Sequence, residues 1–261
     1  GQSSVNSIAQ SRGFIRSRSG TISQKIALGR PLTTSNWAAS AAEIRRRTGF
    51  LFPASLPDAA LENAQIPLIS PASRAFTYPL SQLTDLLSPA IVVWPGGSGA
   101  IVPISKKYAD DLLGTAPQRA FGFLESKDAA FLARRVYVSA PRNAALLSVD
   151  GPILFYESRR TGGRGAVVAA GRVVDRTLQP KAELSSDSQR RLVVEDVDAI
   201  SATDDILLTS FDNLFALPIP VPLRCLKAIG ATGNANLRSA VSLSNEKITQ
   251  ILTQGWPRDI G

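Results

Sequence analysis

The chain has 261 residues, of which 44% are apolar and 19% charged, the balance of a folded protein rather than a disordered one. Histidine is absent and Cys225 is the only cysteine, which excludes imidazole-dependent catalysis, His- or Cys-rich metal sites and any internal disulfide. The net charge is +8, and 22 of the 29 basic residues are arginine, a balance that favours a polyanionic partner.

Methionine is missing as well, so the sequence is taken as part of a longer reading frame. No apolar run approaches the ~18 residues of a membrane span, and the first residues lack the pattern of a signal peptide. A cytoplasmic location, without membrane contact, is expected.

The spacing predicts a short helix over 5–10, then strands over 13–16 and 21–28. A helix follows over 36–48, with Ser35 as its N-cap and Gly49 as its stop. Trp37, Ala41 and Ile44 share one side of it, and Arg45, Arg46 and Arg47 complement its C-terminal dipole. Residues 51–79 hold Pro53, Pro57, Pro67, Pro71 and Pro79, which predicts an irregular connection. A helix is expected over 80–87. Strands at 90–94 and 100–104 flank a Gly-rich turn and predict a hairpin, followed by a helix over 106–113.

The densest strand signal is a second hairpin, 152–157 and 165–174, around the loop 158–164. Another strand is expected over 205–210, and Pro218, Pro220 and Pro222 mark an extended segment suited to a sheet edge. The last helix starts after Ser244, with Leu243 stapled to Ile248, and ends near Gly255. Cys225, among apolar neighbours, is expected to be a buried small hydrophobe.

The hairpin carries the main chemical signal. Arg159, Arg160 and Arg164 on its loop suit phosphate contacts, with Arg172 in support. Tyr137 or Tyr156 offers a ring for stacking an unpaired base, worth roughly 1–3 kcal/mol. Phe155 and Tyr156 point to opposite faces of their strand, so they do not share a pocket. Asp150, Glu157 and Arg159 loosely follow the carboxylate order of metal-dependent nucleases, although Asp150-Gly151-Pro152 equally makes a turn. The remaining acidic pairs suit solvated faces. No cofactor motif, no metal set and no catalytic set beyond these alternatives is legible.

Arg135-Val136-Tyr137-Val138, then Asp150-Gly151-Pro152-Ile153-Leu154-Phe155-Tyr156, then Ala170-Gly171-Arg172-Val173 together resemble the PUA-like domains of the EVE and ASCH type. The resemblance extends over about 88–256. It implies a small β-barrel with flanking helices, binding RNA or a flipped, modified DNA base in an aromatic-lined pocket. Asn6-Ser7-Ile8-Ala9-Gln10-Ser11-Arg12-Gly13-Phe14 and the strand to Leu28 resemble the end of a GNAT acetyltransferase domain. That would make the protein similar to some bacterial toxin–antitoxin-type proteins, with the acetyl-CoA turn outside this sequence.

The sequence therefore predicts an α+β protein. A basic segment (1–50) and a Pro-rich connection (51–79) precede a PUA-like domain (80–261). The expected function is a nucleic-acid-binding module for RNA or DNA. The alternatives are part of an acetyltransferase, a divalent-metal nuclease using Asp150 and Glu157, or a domain with a protein partner.

Overall fold

The computed structural model describes residues 14–16, 22–25, 31–56, 65–79, 84, 87, 90–113, 134–192, 204–232 and 237–256. The chain divides into two units, Gly1–Gly97 and Ser98–Gly261. The helix expected over 5–10 lies outside the described residues, and of the one expected over 80–87 only Thr84 and Leu87 are described.

In the first unit, β1 (Phe14–Arg16) pairs antiparallel with β2 (Ile22–Lys25). Helix α1 (Trp37–Thr48) buries Trp37, Ala41 and Ile44, the side its periodicity marks. Its start differs from expectation by one residue. Asn36 stands at the N-cap, and its side chain binds backward, accepting from the Thr33 N–H and donating to the Pro31 carbonyl, both at 2.8 Å. Gly49 ends the helix as predicted, at φ 75°, with its N–H on the Arg45 carbonyl at 2.7 Å.

The Pro-rich stretch contains more order than its composition suggests. Strands β3 (Gln65–Ile69) and β4 (Ala75–Pro79) form an antiparallel hairpin through it. Ile69 exchanges both main-chain bonds with Leu51, on the side away from β4. Pro67, two residues earlier, turns its nitrogen the same way, so its missing N–H removes nothing from the β3–β4 ladder. Ile66 and Leu68 point inward onto Leu32, Trp37, Ile44, Phe52 and Trp94. The indole N–H of Trp37 donates to the Pro53 carbonyl at 2.8 Å.

The second unit is built on a six-stranded sheet in the order β10-β5-β7-β8-β9-β6. The strands are β5 (Ser98–Ile104), β6 (Arg135–Ser139), β7 (Pro152–Glu157), β8 (Ala166–Pro180), β9 (Asp205–Pro222) and β10 (Val241–Ser244). All neighbours run antiparallel except β5 and β7. The α+β class stands, and among the described residues the sheet is open, with β6 and β10 at its edges. The hairpin expected between 90–94 and 100–104 does not form. Residues 91–93 bond to Leu32 instead, through Leu32 N–H to Ile91 O and Val93 N–H to Leu32 O, both at 2.8 Å. β5 pairs with β7 and β10, so the two apolar runs belong to different units.

Helices cover the sheet. One face packs Val102, Phe155, Val173, Leu207 and Phe211 against Ala109 and Leu112 of α2 (Lys106–Leu113). Phe155 and Phe211 touch with centroids 5.1 Å apart. A short α3 (Ser186–Arg191) follows β8, and α4 (Leu223–Ala228) follows β9. The last helix, α5 (Asn245–Gly255), buries Ile248, Ile251 and Leu252 as its periodicity predicts. Ser244 precedes it but makes no side-chain cap; it hydrogen-bonds the Glu246 carboxylate, which lowers that group's pKa. Cys225 is half-buried, and its neighbour Leu226 fills the core position.

Candidate nucleic-acid interface

The expected hairpin is present: β7 and β8 pair antiparallel, with Glu157 opposite Ala166. Residues 159–161 form a 3-10 turn, and Gly162 closes it at φ 79° with its N–H on the Arg159 carbonyl. Gly165 also has a positive φ of 67°, and the Arg159 side chain lies over the place where a Cβ would stand. Glycine suits both positions because a side chain disfavours this backbone region.

Two main-chain bonds and one from the main chain to a side-chain hydroxyl then gather distant segments around the loop. Ser158 N–H donates to the Ile104 carbonyl at 2.9 Å, Leu223 N–H to the Gly165 carbonyl at 3.0 Å, and Lys106 N–H to Thr161 Oγ1 at 3.3 Å. The start of α2, the loop and the start of α4 therefore meet at one end of the sheet. Lys106, Arg159, Arg160, Arg164 and Arg224 are all exposed there. Sequence inspection finds the three loop arginines. It misses Lys106 and Arg224, which only the β5–β7 and β8–β9 pairings bring close.

The loop arginines are not equivalent. Arg164 pairs through Nε with Glu157, a carboxylate only 2% exposed. Its main-chain N–H donates to the same carboxylate at 3.2 Å. Among the described residues no ion pair engages Arg159 or Arg160.

Arg172 departs from its expected role. It is buried, and its guanidinium clasps Asp212 with bonds of 2.9 and 2.7 Å, with Asp150 Oδ1 at 3.7 Å. These are internal contacts between β8, β9 and the turn before β7, so the side chain faces no ligand.

The two tyrosines do not share a pocket. Tyr137 sets its ring edge-on to Phe155, 6.3 Å between centroids, and so lies on the Phe155 face of the sheet. Burial, and then the neighbouring Tyr108, push its hydroxyl up to about 12. Tyr156 lies on the opposite face and is 3% exposed. Burial raises its pKa, while the nearby Arg159 charge pulls it down. Base stacking needs an open ring face, and Tyr156 presents none in this conformation.

The nuclease alternative does not survive the geometry. Asp150 and Glu157 stand at opposite ends of β7, whose residues Pro152–Glu157 span roughly 17 Å at ~3.3 Å per residue. Each is engaged with a different arginine. One cation cannot be held by both. Among the described residues no group of three or more His, Cys, Asp or Glu could hold a metal ion. No helix among them is long and apolar enough to cross a membrane.

No family model and no curated protein matches the chain. Among solved structures, an ASCH domain from Zymomonas mobilis matches with a TM-score of 0.43 and 14% identity, over 59% of this chain and 94% of that one. A point mutant of the same protein gives 0.45 and 13%, over 60% and 95%. Both matched structures carry the ASCH name in their descriptions.

Proposed function

We propose that the protein is a nucleic-acid-binding module that grips phosphates with the basic end of its second unit. The observation that carries this is the convergence of Lys106, Arg159, Arg160, Arg164 and Arg224, from three segments far apart in sequence. Arginine offers a planar fork that fits a phosphate with two bonds. Backbone hydrogen bonds already hold the three segments together, so the ordering cost when a polyanion arrives falls on the side chains alone.

In this reading Arg159 and Arg160 make the principal contacts, with Lys106 and Arg224 flanking them. Arg164 contributes less, because Glu157 already balances its charge. Arg172 supports the site only by keeping β8 and β9 in register. The partner is RNA or DNA, recognised first by its backbone.

The test is binding to single- and double-stranded RNA and DNA over a salt series. Phosphate-led binding gives an affinity that falls linearly with log salt. Arg159→Ala/Arg160→Ala is expected to weaken binding to all four and to flatten that slope. Wild-type behaviour in this variant would move the site elsewhere, first to the arginines of 1–50. Absence of binding at low salt would end the proposal.

A further inference from the structure

Phe215 of β9 and Trp256, the residue after α5, meet edge-to-face with centroids 6.1 Å apart and planes at 81°. Both are half-buried, and Ile219, whose carbonyl lies by Gly255, is 49% exposed. Gly255 eases the meeting: a Cβ there would come within 2.5 Å of Leu217 Cδ2, so any other residue would have to displace the Leu217 side chain for the end of α5 to settle onto β9. The Trp256 N–H, bound to the Leu252 carbonyl at 2.8 Å, fixes the backbone at the ring. In an edge-to-face pair, each ring keeps at least one face clear of the other.

The pair lies beside the basic end. Phe215 stands opposite Ala170 and Pro222 opposite Ala166, so four β8 residues, roughly 13 Å, separate it from the hairpin end. Beyond Pro222 the chain enters α4 with Arg224, and Lys247 of α5 donates to the Gly230 carbonyl at the far end of that helix. A strand held by its phosphates at Arg159, Arg160 and Arg224 would carry its next bases across these rings.

We infer that Trp256, braced by Phe215, is a stacking platform for an unpaired base of a single-stranded nucleic acid. The inference rests on the phosphate-binding reading above and adds the preference for unpaired strands. Tyr156, which presents no open ring face, leaves that role open, and nothing in the local sequence marks the Phe215–Trp256 pair.

Trp37 and Trp94, the other two tryptophans, are 1% and 3% exposed. Emission from the full chain therefore reports contact at Trp256. The experiment compares oligo(dT), oligo(U) and an abasic strand of equal length, following anisotropy of the labelled strand and tryptophan emission together. The base-bearing strands are expected to quench emission, whereas the abasic strand binds without quenching. Trp256→Ala is expected to weaken base-bearing strands about 5- to 150-fold, the range for loss of one stacked base, and to leave the abasic strand unaffected. Trp256→Phe retains a ring on Phe215 and is expected to restore most of the affinity without the emission signal. A difference between oligo(dT) and oligo(U) identifies the preferred source of the base. Binding of base-bearing strands without quenching, and without loss in Trp256→Ala, would overturn the stacking site and leave the phosphate grip intact. Failure of every strand to bind would overturn both.

Discussion

Glu157 holds Arg164 twice across the β7–β8 hairpin, accepting from its main-chain N–H and from its guanidinium Nε. The carboxylate is 2% exposed, and a Cβ on Gly163 would come within 2.6 Å of its Cγ. The loop is thus shaped around one buried charge.

Removing that acceptor leaves a main-chain donor unpaired. Glu157→Ala is expected to destabilise the fold by about 1–3 kcal/mol, with Glu157→Gln, which keeps an acceptor, falling between it and the native chain. Urea unfolding midpoints at constant m-value measure both. Equal midpoints for Ala and native protein would mean that the pair does not shape the loop.

Charge balance at the hairpin makes a second, kinetic-free prediction. Arg160→Ala and Arg224→Ala are each expected to lower the log-affinity against log-salt slope by ~0.7 to 0.9. Arg164→Ala is expected to lower it less, because its charge is already paired with Glu157. Similar slopes for all three variants would show that the ion pair opens when the strand binds.

Arg172 separates stability from binding. Its bidentate bond to Asp212 is buried between two long strands. Arg172→Ala is expected to cost about 3–5 kcal/mol by stranding a charge. The salt slope of the fraction that remains folded is expected to match the native one. A large binding defect in a fully stable variant would return Arg172 to the interface.

Tyr137 supplies a pH dependence. Its hydroxyl pKa is raised from 10 to about 12, by burial first and Tyr108 second. The folded state therefore keeps the proton more firmly than the unfolded chain. This contribution is complete below pH ~10 and is lost as pH rises to ~12, so stability falls across that window. Tyr137→Phe is expected to flatten the fall. An unchanged alkaline limb would place the titrating group elsewhere.

Much of the second unit is legible because its signals are local. The apolar runs of β7 and β8 and the glycines between them define a hairpin before any tertiary contact is known. The same logic fails at 90–94, where the sequence offers a neighbour at 100–104 but the run satisfies its main chain with Leu32, far earlier in the chain. Pro67 reads as a strand breaker because the sequence does not show which side of β3 faces β4. Arg172 reads as a surface cation because Asp212, its partner, sits forty residues away. For the same reason three loop arginines are visible and the five-residue basic end is not.

β5 lies in the interior of its sheet, yet β10, one of its two neighbours, is the last strand among the described residues. During synthesis β5 leaves the ribosome first, and about 140 residues follow before β10 appears. At ~5–20 residues per second that interval is roughly 7 to 28 s. Through all of it the β10-facing row of N–H and C=O groups on β5 is an open edge, the kind of template on which neighbouring nascent chains pair. Crowding of ribosomes on one message is therefore the condition under which this fold is most exposed to misassembly.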